Sequence, residues 1–255
     1  MLTEVAELCH RRGVIFSTRV SIDGVGEMHN EVRHVKRGFE KATDTIRAMQ
    51  DLQKRVPFNF GISTTIFTRN LDDADNILSW ARTQKLDIVF NMVRFTDPML
   101  GNSDLAETCK PAGREEERMR KFFLERVRLD PLLDGQNYIY MHYADMIANG
   151  YHRLAPCPFQ TQGVMLNPDG GLFFCENSDV VGNVLHDDPE ELYFREASQR
   201  HRAWIREQKC PGCLSPCQMN VAAVKQVVPY VKFLVRAAAE KRRGSHEDLS
   251  PVPTP

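Results

Sequence analysis

Three strand-like segments alternating with segments of helical spacing constrain this chain more than any other feature. Residues 14–22, 58–67 and 86–95 are runs of apolar and β-branched residues that read as strands. Before the first, residues 2–12 read as a helix with Leu2, Val5, Leu8 and Cys9 along one face, stopped by Gly13. Between the first two, residues 34–52 carry Phe39, Ala42, Ile46 and Met49 along one side. Between the second and third, a helix capped by Asn70 or Asp72 runs to residue 83 or 84. Alternation at this spacing predicts parallel βαβ units. Val20, Ile22, Phe60, Ile62, Ile88, Phe90 and Met92 are the expected core of that half.

The pattern breaks near residue 96. Residues 96–114 are rich in Pro, Gly and polar groups, and helices are expected over residues 115–129 and 137–149. Tyr138, Tyr140, His142 and Tyr143 in the second are read either as a packed helix face or as the lining of a substrate groove. From Pro156 the texture becomes short strands and turns. Residues 163–166, the turn Asn167-Pro168-Asp169-Gly170-Gly171 and residues 172–175 form a predicted β-hairpin. Helical patterns follow over residues 189–207 and 218–242, and there is no internal repeat. The expected organisation is residues 1–110 as an α/β part, 111–155 as a helical connector, 156–220 as a part of short strands and turns carrying most of the cysteines, and 221–255 as a helix and tail.

Composition bounds the function. A chain of 255 residues, 42% hydrophobic and 26% charged, builds one large globular domain or two modest ones. A net charge of −1 supplies no general attraction to nucleic acid or to membranes. No apolar run reaches the roughly 18 residues needed to span a bilayer. The first residues are amphipathic and acidic, unlike a signal peptide. Seven cysteines in that context imply a reducing, cytoplasmic location, where thiols are available to metals.

The late cysteines carry the chemistry. Cys210, Cys213 and Cys217 are spaced Cys-x2-Cys-x3-Cys beside Pro and Gly, and Cys157 and Cys175 lie upstream. A two-residue spacer lets both flanking sulfurs turn toward one ion, and Gly212 relieves crowding in the knuckle. Converging thiolates of this kind hold an iron-sulfur cluster or a structural zinc ion. Four ligands complete one [4Fe-4S] cluster, so of the five either one is spare, with Cys210 the expected spare, or a second site exists. Cys9 and Cys109 lie in unrelated contexts: Cys9 is read as a buried thiol on its helix face, and Cys109 as a free structural cysteine or else a loop thiol near a substrate.

The chain resembles the radical S-adenosylmethionine enzymes that carry a C-terminal SPASM or twitch-type auxiliary cluster domain. Ser21-Ile22-Asp23-Gly24 followed by Glu27-Met28-His29-Asn30-Glu31-Val32-Arg33 is similar to a segment that follows a barrel strand in that family. Pro168-Asp169-Gly170 leading to Cys175, then Gly182-Asn183, a helix with Glu190, Glu191 and Leu192, and the cysteine trio are similar to its auxiliary domain. The family's Cys-x3-Cys-x2-Cys motif, which holds the cluster that cleaves S-adenosylmethionine, is absent. An upstream start, a separate chain supplying the front half, and a degenerate relative each explain that absence; the upstream start is the reading adopted.

The resemblance implies an α/β fold: a truncated partial (β/α) barrel followed by a small SPASM-like β-hairpin and helix domain around one [4Fe-4S] cluster. It implies that Ser21 and Arg33 contact the S-adenosylmethionine aminocarboxylate in an intact enzyme or complex, since Arg clamps carboxylates through paired hydrogen bonds. Otherwise Ser21 caps a turn and Arg33 is a surface charge. Asp23 is read as shaping its turn, and His29 as a site residue or a structural one. Glu176, directly after Cys175, is the candidate catalytic base, or else a solvated carboxylate. The implied function is that of the rear part of a radical oxidoreductase or peptide- or protein-modifying enzyme, not competent for S-adenosylmethionine cleavage alone. Its expected partners are an electron donor, a peptide or protein substrate, and a separate front-half chain. A non-catalytic iron-sulfur electron carrier or interaction protein, and a zinc-stabilised binding module, are the alternatives.

Overall fold

The computed structural model describes residues 2–95, 101–153, 159, 163–175, 178–207 and 227–247; for residues 243–247 the backbone alone is described. The fold is mixed α/β, with a parallel sheet in a first unit, Met1–Val93, and a helical region with a small antiparallel sheet in a second, Arg94–Pro255.

The first unit follows the predicted alternation. Helix α1 (Leu2–Arg11) leads to strand β1 (Ser17–Ser21), and two helices, α2 (Glu27–Arg33) and α3 (Gly38–Gln53), lead to β2 (Asn59–Ile66). A 3-10 segment (Thr68–Asp73) and α4 (Ala74–Thr83) then connect to β3 (Asp87–Met92). The strands pair in parallel in the order β1-β2-β3, with Ser21 opposite Ser63 and Thr65 opposite Asn91. Because side chains alternate across a strand, the even-numbered positions share one face. That face packs Ile22 and Ile62 on Ile46 of α3 and on Ile77 and Ala81 of α4, with Val20, Phe60 and Ile88 partly buried against them. Both crossover helices therefore cover the same side of a sheet whose strands keep their chain order. This is the winding of a (β/α) barrel sector; a doubly wound sheet reverses strand order and puts helices on both faces. The opposite face carries Arg19, Ser21, Ser63, Thr65 and Asn91.

Phe90 and Met92 are buried as expected. The helix expected over residues 34–52 begins instead at Gly38, because His34 and Arg37 adopt left-handed backbone angles (φ 51° and 55°) that break the chain between α2 and α3. Helix α1 packs through the small Ala6 against Met49, Leu52, Val56 and Phe58. Leu2, Val5 and Leu8 stay 39–47% exposed rather than buried.

In the second unit, a one-turn helix α5 (Ala106–Cys109) precedes α6 (Arg114–Leu129) and α7 (Gly135–Ala148). The Asp134 side chain caps α7 by accepting from the Gln136 amide (2.8 Å). Phe123 stacks on Tyr140 (5.7 Å between ring centres) and meets Tyr143 (5.0 Å). Tyr138 packs edge-on to Tyr230 and Phe233 of α10 (Val227–Glu247). Tyr138, Tyr140 and Tyr143 are each at most 2% exposed, so this aromatic group is packed interior. Two ion pairs join α10 to the others: Arg128–Glu240 (3.1 Å) and a two-pronged Arg236–Asp145 contact (2.7 and 2.8 Å).

The predicted hairpin forms. Strand β4 (Met165–Leu166) pairs with β5 (Gly171–Phe173), which pairs on its other side with β6 (Gly182–Asn183), all antiparallel. The turn is shaped by Asn167, whose Oδ1 accepts from the Asp169 and Gly171 amides (3.1 and 2.7 Å), and by Gly170 at φ 84°, a region side chains rarely enter. Helices α8 (Pro189–Phe194) and α9 (Glu196–Arg206) follow. They replace the single helix expected over residues 189–207, breaking at Arg195, which is extended.

Candidate functional site

Two groups of residues carry chemistry, one in each unit. In the first unit they gather at the C-terminal ends of the strands, where barrel loops converge. Asp23 is the hub. Its Oδ1 accepts from the Thr65 amide (2.8 Å), its Oδ2 pairs with the Arg33 guanidinium (2.6 Å), and its own amide donates to His29 Nδ1 (3.1 Å). Its carbonyl accepts from Asn70 Nδ2 (3.0 Å), which also donates to the Thr65 carbonyl (2.9 Å); Asn70 Oδ1 accepts from the Phe67 amide (3.0 Å). Thr64 Oγ1 donates to the Ile22 carbonyl (2.6 Å), and Asp73 accepts from the Val25 amide (2.7 Å).

Asp23, His29, Thr64 and Asn70 are all buried. Buried polar groups are tolerated when each finds a partner, and a broken one costs about 1–3 kcal/mol. Burial lowers the His29 pKa, opposed by Asp23 and assisted by Arg33. Since its Nδ1 accepts a hydrogen bond, the ring is neutral with its proton on Nε2.

This network fixes where the first-unit candidates lie. Ser21 ends β1, exposed, on the face away from the helices. Arg33 reaches back from the end of α2 to Asp23, with its side chain 41% exposed. The carboxylate it grips is thus the chain's own. Asn70, read from the sequence as a helix cap, is a fully buried cross-link between the ends of β1 and β2. Nothing in local spacing signals that link, because its partner lies 47 residues away. At the other, N-terminal end of the strands, Arg19 and Asp87 line a cleft of about 400 Å³ and form an ion pair (2.5 Å) across it.

The second group surrounds Cys175. Cys157, Glu176, Cys210, Cys213 and Cys217 lie outside the described residues, so Cys175 is the described member of the five-cysteine set. It is 6% exposed and packs with Ile205, Phe159 and Trp204. Ser178 Oγ accepts from the Phe174 and Cys175 amides (3.0 and 3.1 Å) and donates to the Cys175 carbonyl (3.0 Å), holding the chain in a tight bend after β5. The Cys175 Sγ lies 3.8 Å from His201 Nε2. The His201 ring stacks on Phe174 (6.0 Å, 22°) and lies against Trp204 (5.5 Å). Burial lowers its pKa, with Asp179 opposing and Arg202 assisting.

Arg202 is 3% exposed, between the rings of Phe174 (4.5 Å) and Tyr193 (4.0 Å). A buried thiol beside an imidazole in an apolar shell is a donor set suited to a soft metal or cluster. Among the described residues no group of three or more metal-binding side chains forms. Sequence reasoning did not single out His201, Arg202 or Ser178. Ser178 reaches Cys175 through the local bend, whereas only the fold of α9 against the hairpin brings His201 to Cys175 and Arg202 to Phe174.

No protein-family model matches the chain, and no curated protein does. Among solved structures, it is similar to one described as native anSMEcpe with bound AdoMet and Cp18Cys peptide, with a TM-score of 0.47 and 14% identity. That match covers 78% of this chain and 55% of the other. A second, a histidine-tagged anSMEcpe with bound AdoMet, gives a TM-score of 0.48 and 14% identity over 82% of this chain and 59% of that one. The chain thus spans less than two thirds of the length of these structures, and likeness at this level bears on neither activity nor ligand. No helix among the described residues is long and apolar enough to cross a membrane.

Proposed function

We propose that this chain is an iron-sulfur protein built like the rear part of a radical S-adenosylmethionine oxidoreductase or peptide- or protein-modifying enzyme, and that it does not cleave S-adenosylmethionine alone. The observation that carries the reading is the setting of Cys175. A thiol on a hairpin bend, dry and faced by an imidazole, is the second of five cysteines whose spacing suits one [4Fe-4S] cluster. Cys175 and three of Cys157, Cys210, Cys213 and Cys217 would hold it. When bound, such a group supplies one-electron chemistry. Glu176, next in the chain, is the proposed proton acceptor of the site.

In the first unit, Ser21 and Arg33 are the proposed contacts for the aminocarboxylate of S-adenosylmethionine, which an intact enzyme or complex would bind. Asp23 holds Arg33 in place for that role. The outer edge of β1 supports a separate front-half chain as partner. Among the described residues β1 pairs with β2 alone, and α1 leaves Leu2, Val5 and Leu8 exposed. An electron donor and a peptide or protein substrate complete the proposed partners. The domain limits 1–110, 111–155, 156–220 and 221–255 belong to the same proposal.

The test is iron and acid-labile sulfide analysis of the chain purified without oxygen, with Cys213→Ala and Cys217→Ala beside it. The wild type should carry about four irons, the number one [4Fe-4S] cluster holds, and each variant should lose most of them. Wild-type iron in both variants overturns the ligand assignment, and an iron-free wild type overturns the function. One observation favours a second reading: a cysteine facing a histidine is also a zinc-type pair. Stoichiometric zinc without sulfide would make the chain a zinc-stabilised binding module.

A further inference from the structure

Two neighbouring side chains of α9, His201 and Arg202, have been given no effect on the proposed cluster's electronics so far. His201 is held by two ring contacts, on Phe174 and Trp204, that fix its plane and leave Nε2 at 3.8 Å from the Cys175 sulfur. A metal-bound thiolate has no proton to give, so in the loaded protein that contact runs from Nε2–H to Sγ. Its neighbour Arg202 presents a separate anomaly. A guanidinium is almost never buried without an anionic partner, because desolvating a lone charge costs several kcal/mol. Yet Arg202 is 3% exposed. Its described contacts are two aromatic faces and one hydrogen bond from Nη2 to the Gly163 carbonyl (3.3 Å). Its Nε is buried without a partner, and none of the ion pairs formed by the described residues includes it. The same Phe174 ring touches both His201 and Arg202, and Phe174 directly precedes Cys175. A buried positive charge whose ring contact, Phe174, adjoins the cluster cysteine would be compensated in part by the negative charge of a cluster held there.

We infer that α9 forms an electropositive wall against the cluster, with His201 hydrogen-bonded to the Cys175 sulfur and Arg202 acting through its buried charge. The wall raises the reduction potential of the centre by stabilising its more negative, reduced form. Hydrogen bonds to cluster sulfurs and net charge near the cluster are established levers on potential. The inference rests on the iron-sulfur reading, which the experiment tests separately.

The full chain and its variants are reconstituted without oxygen using iron and sulfide. Iron content and the midpoint potential are then measured by redox titration with visible and electron paramagnetic resonance detection. His201→Phe keeps the ring packing and removes the donor; His201→Gln restores an N–H. Arg202→Met removes the charge, and Arg202→Lys keeps it. At equal iron content, His201→Phe and Arg202→Met should shift the potential downward, while His201→Gln and Arg202→Lys should stay near the wild type. Should Arg202→Met fail to fold, the two His201 variants decide. Unchanged potentials in a fully loaded His201→Phe protein overturn the inference and leave the iron-sulfur reading standing. Loss of iron from His201→Phe makes the imidazole a ligand and overturns the hydrogen-bonding role. A wild type that takes up no iron and sulfide overturns both.

Discussion

At the scale of single residues, His29 shows what burial does to an ordinary titratable group. Its ring packs against Phe39 (6.1 Å) and accepts the Asp23 amide, so the neutral form belongs to the folded state. The charged groups acting on it are Asp23 and Arg33, and burial, with Arg33 assisting, outweighs Asp23 and lowers its pKa below the usual 6.5. As pH falls through about 6.5 the unfolded chain takes up the proton first, so folding stability falls with it until the lower, folded-state pKa is passed. His142 and His201 share that sign, each lowered by burial first. The urea midpoint should therefore drop as the pH falls through about 6.5, and His29→Gln should lessen the drop by removing one contributor. An equal drop in both proteins would remove His29 from the account. His29 and Arg33 stand out in the sequence through a resemblance, and Asp23 through its turn. Asn70 does not, because the Asp23 and Thr65 carbonyls it joins are neighbours only once β1 and β2 pair.

At the scale of elements, runs of apolar and β-branched residues were enough to locate the three parallel strands among the described residues, because strands covered by helices must be apolar. The breaks between helices were not legible. His34 and Arg37 take left-handed angles with no glycine to announce them, and Arg195 turns extended where Ser198 takes the Leu192 carbonyl (2.6 Å). Close approach between strands was equally hidden. A side chain at Gly61 would meet the Asp87 carbonyl at 2.5 Å and the Arg19 guanidinium at 2.8 Å, because Arg19 crosses over Gly61 to reach Asp87. The carbonyl belongs to the paired strand and cannot swing aside. Gly61→Ala should thus lower stability by about 1–3 kcal/mol, the usual cost of overpacking, read from urea or thermal unfolding. A change under about 0.5 kcal/mol, the range of ordinary surface substitutions, would mean that β2 and β3 can part locally.

At the scale of the whole molecule, the two units rest on different sources of stability. The first has a contiguous apolar core under its sheet. The hairpin region of the second has small clusters, Leu172, Phe174 and Leu192 on one side and Cys175 with Ile205 on the other. Small cores of that size lean on metals or cross-links. If the proposed cluster is bound, stripping it should consequently erase hydrogen-exchange protection in Gly171–Phe173 and in Pro189–Phe194, while Asn59–Ile66 keeps its protection. Equal protection with and without metal would separate the folding of the hairpin from the cysteines. The order of elements, the parallel winding and the turn at Asn167–Gly171 were decided by the sequence alone, since periodicity and turn chemistry are local properties carried by neighbouring residues. The sharing of one polar knot by Asp23, Arg33, Thr65 and Asn70, the approach of His201 to Cys175 and that of Arg202 to Phe174 were decided only by tertiary structure. Those contacts join residues up to 47 positions apart, and a hydrogen bond or a buried charge exists only where packing has excluded water and brought its partner within reach.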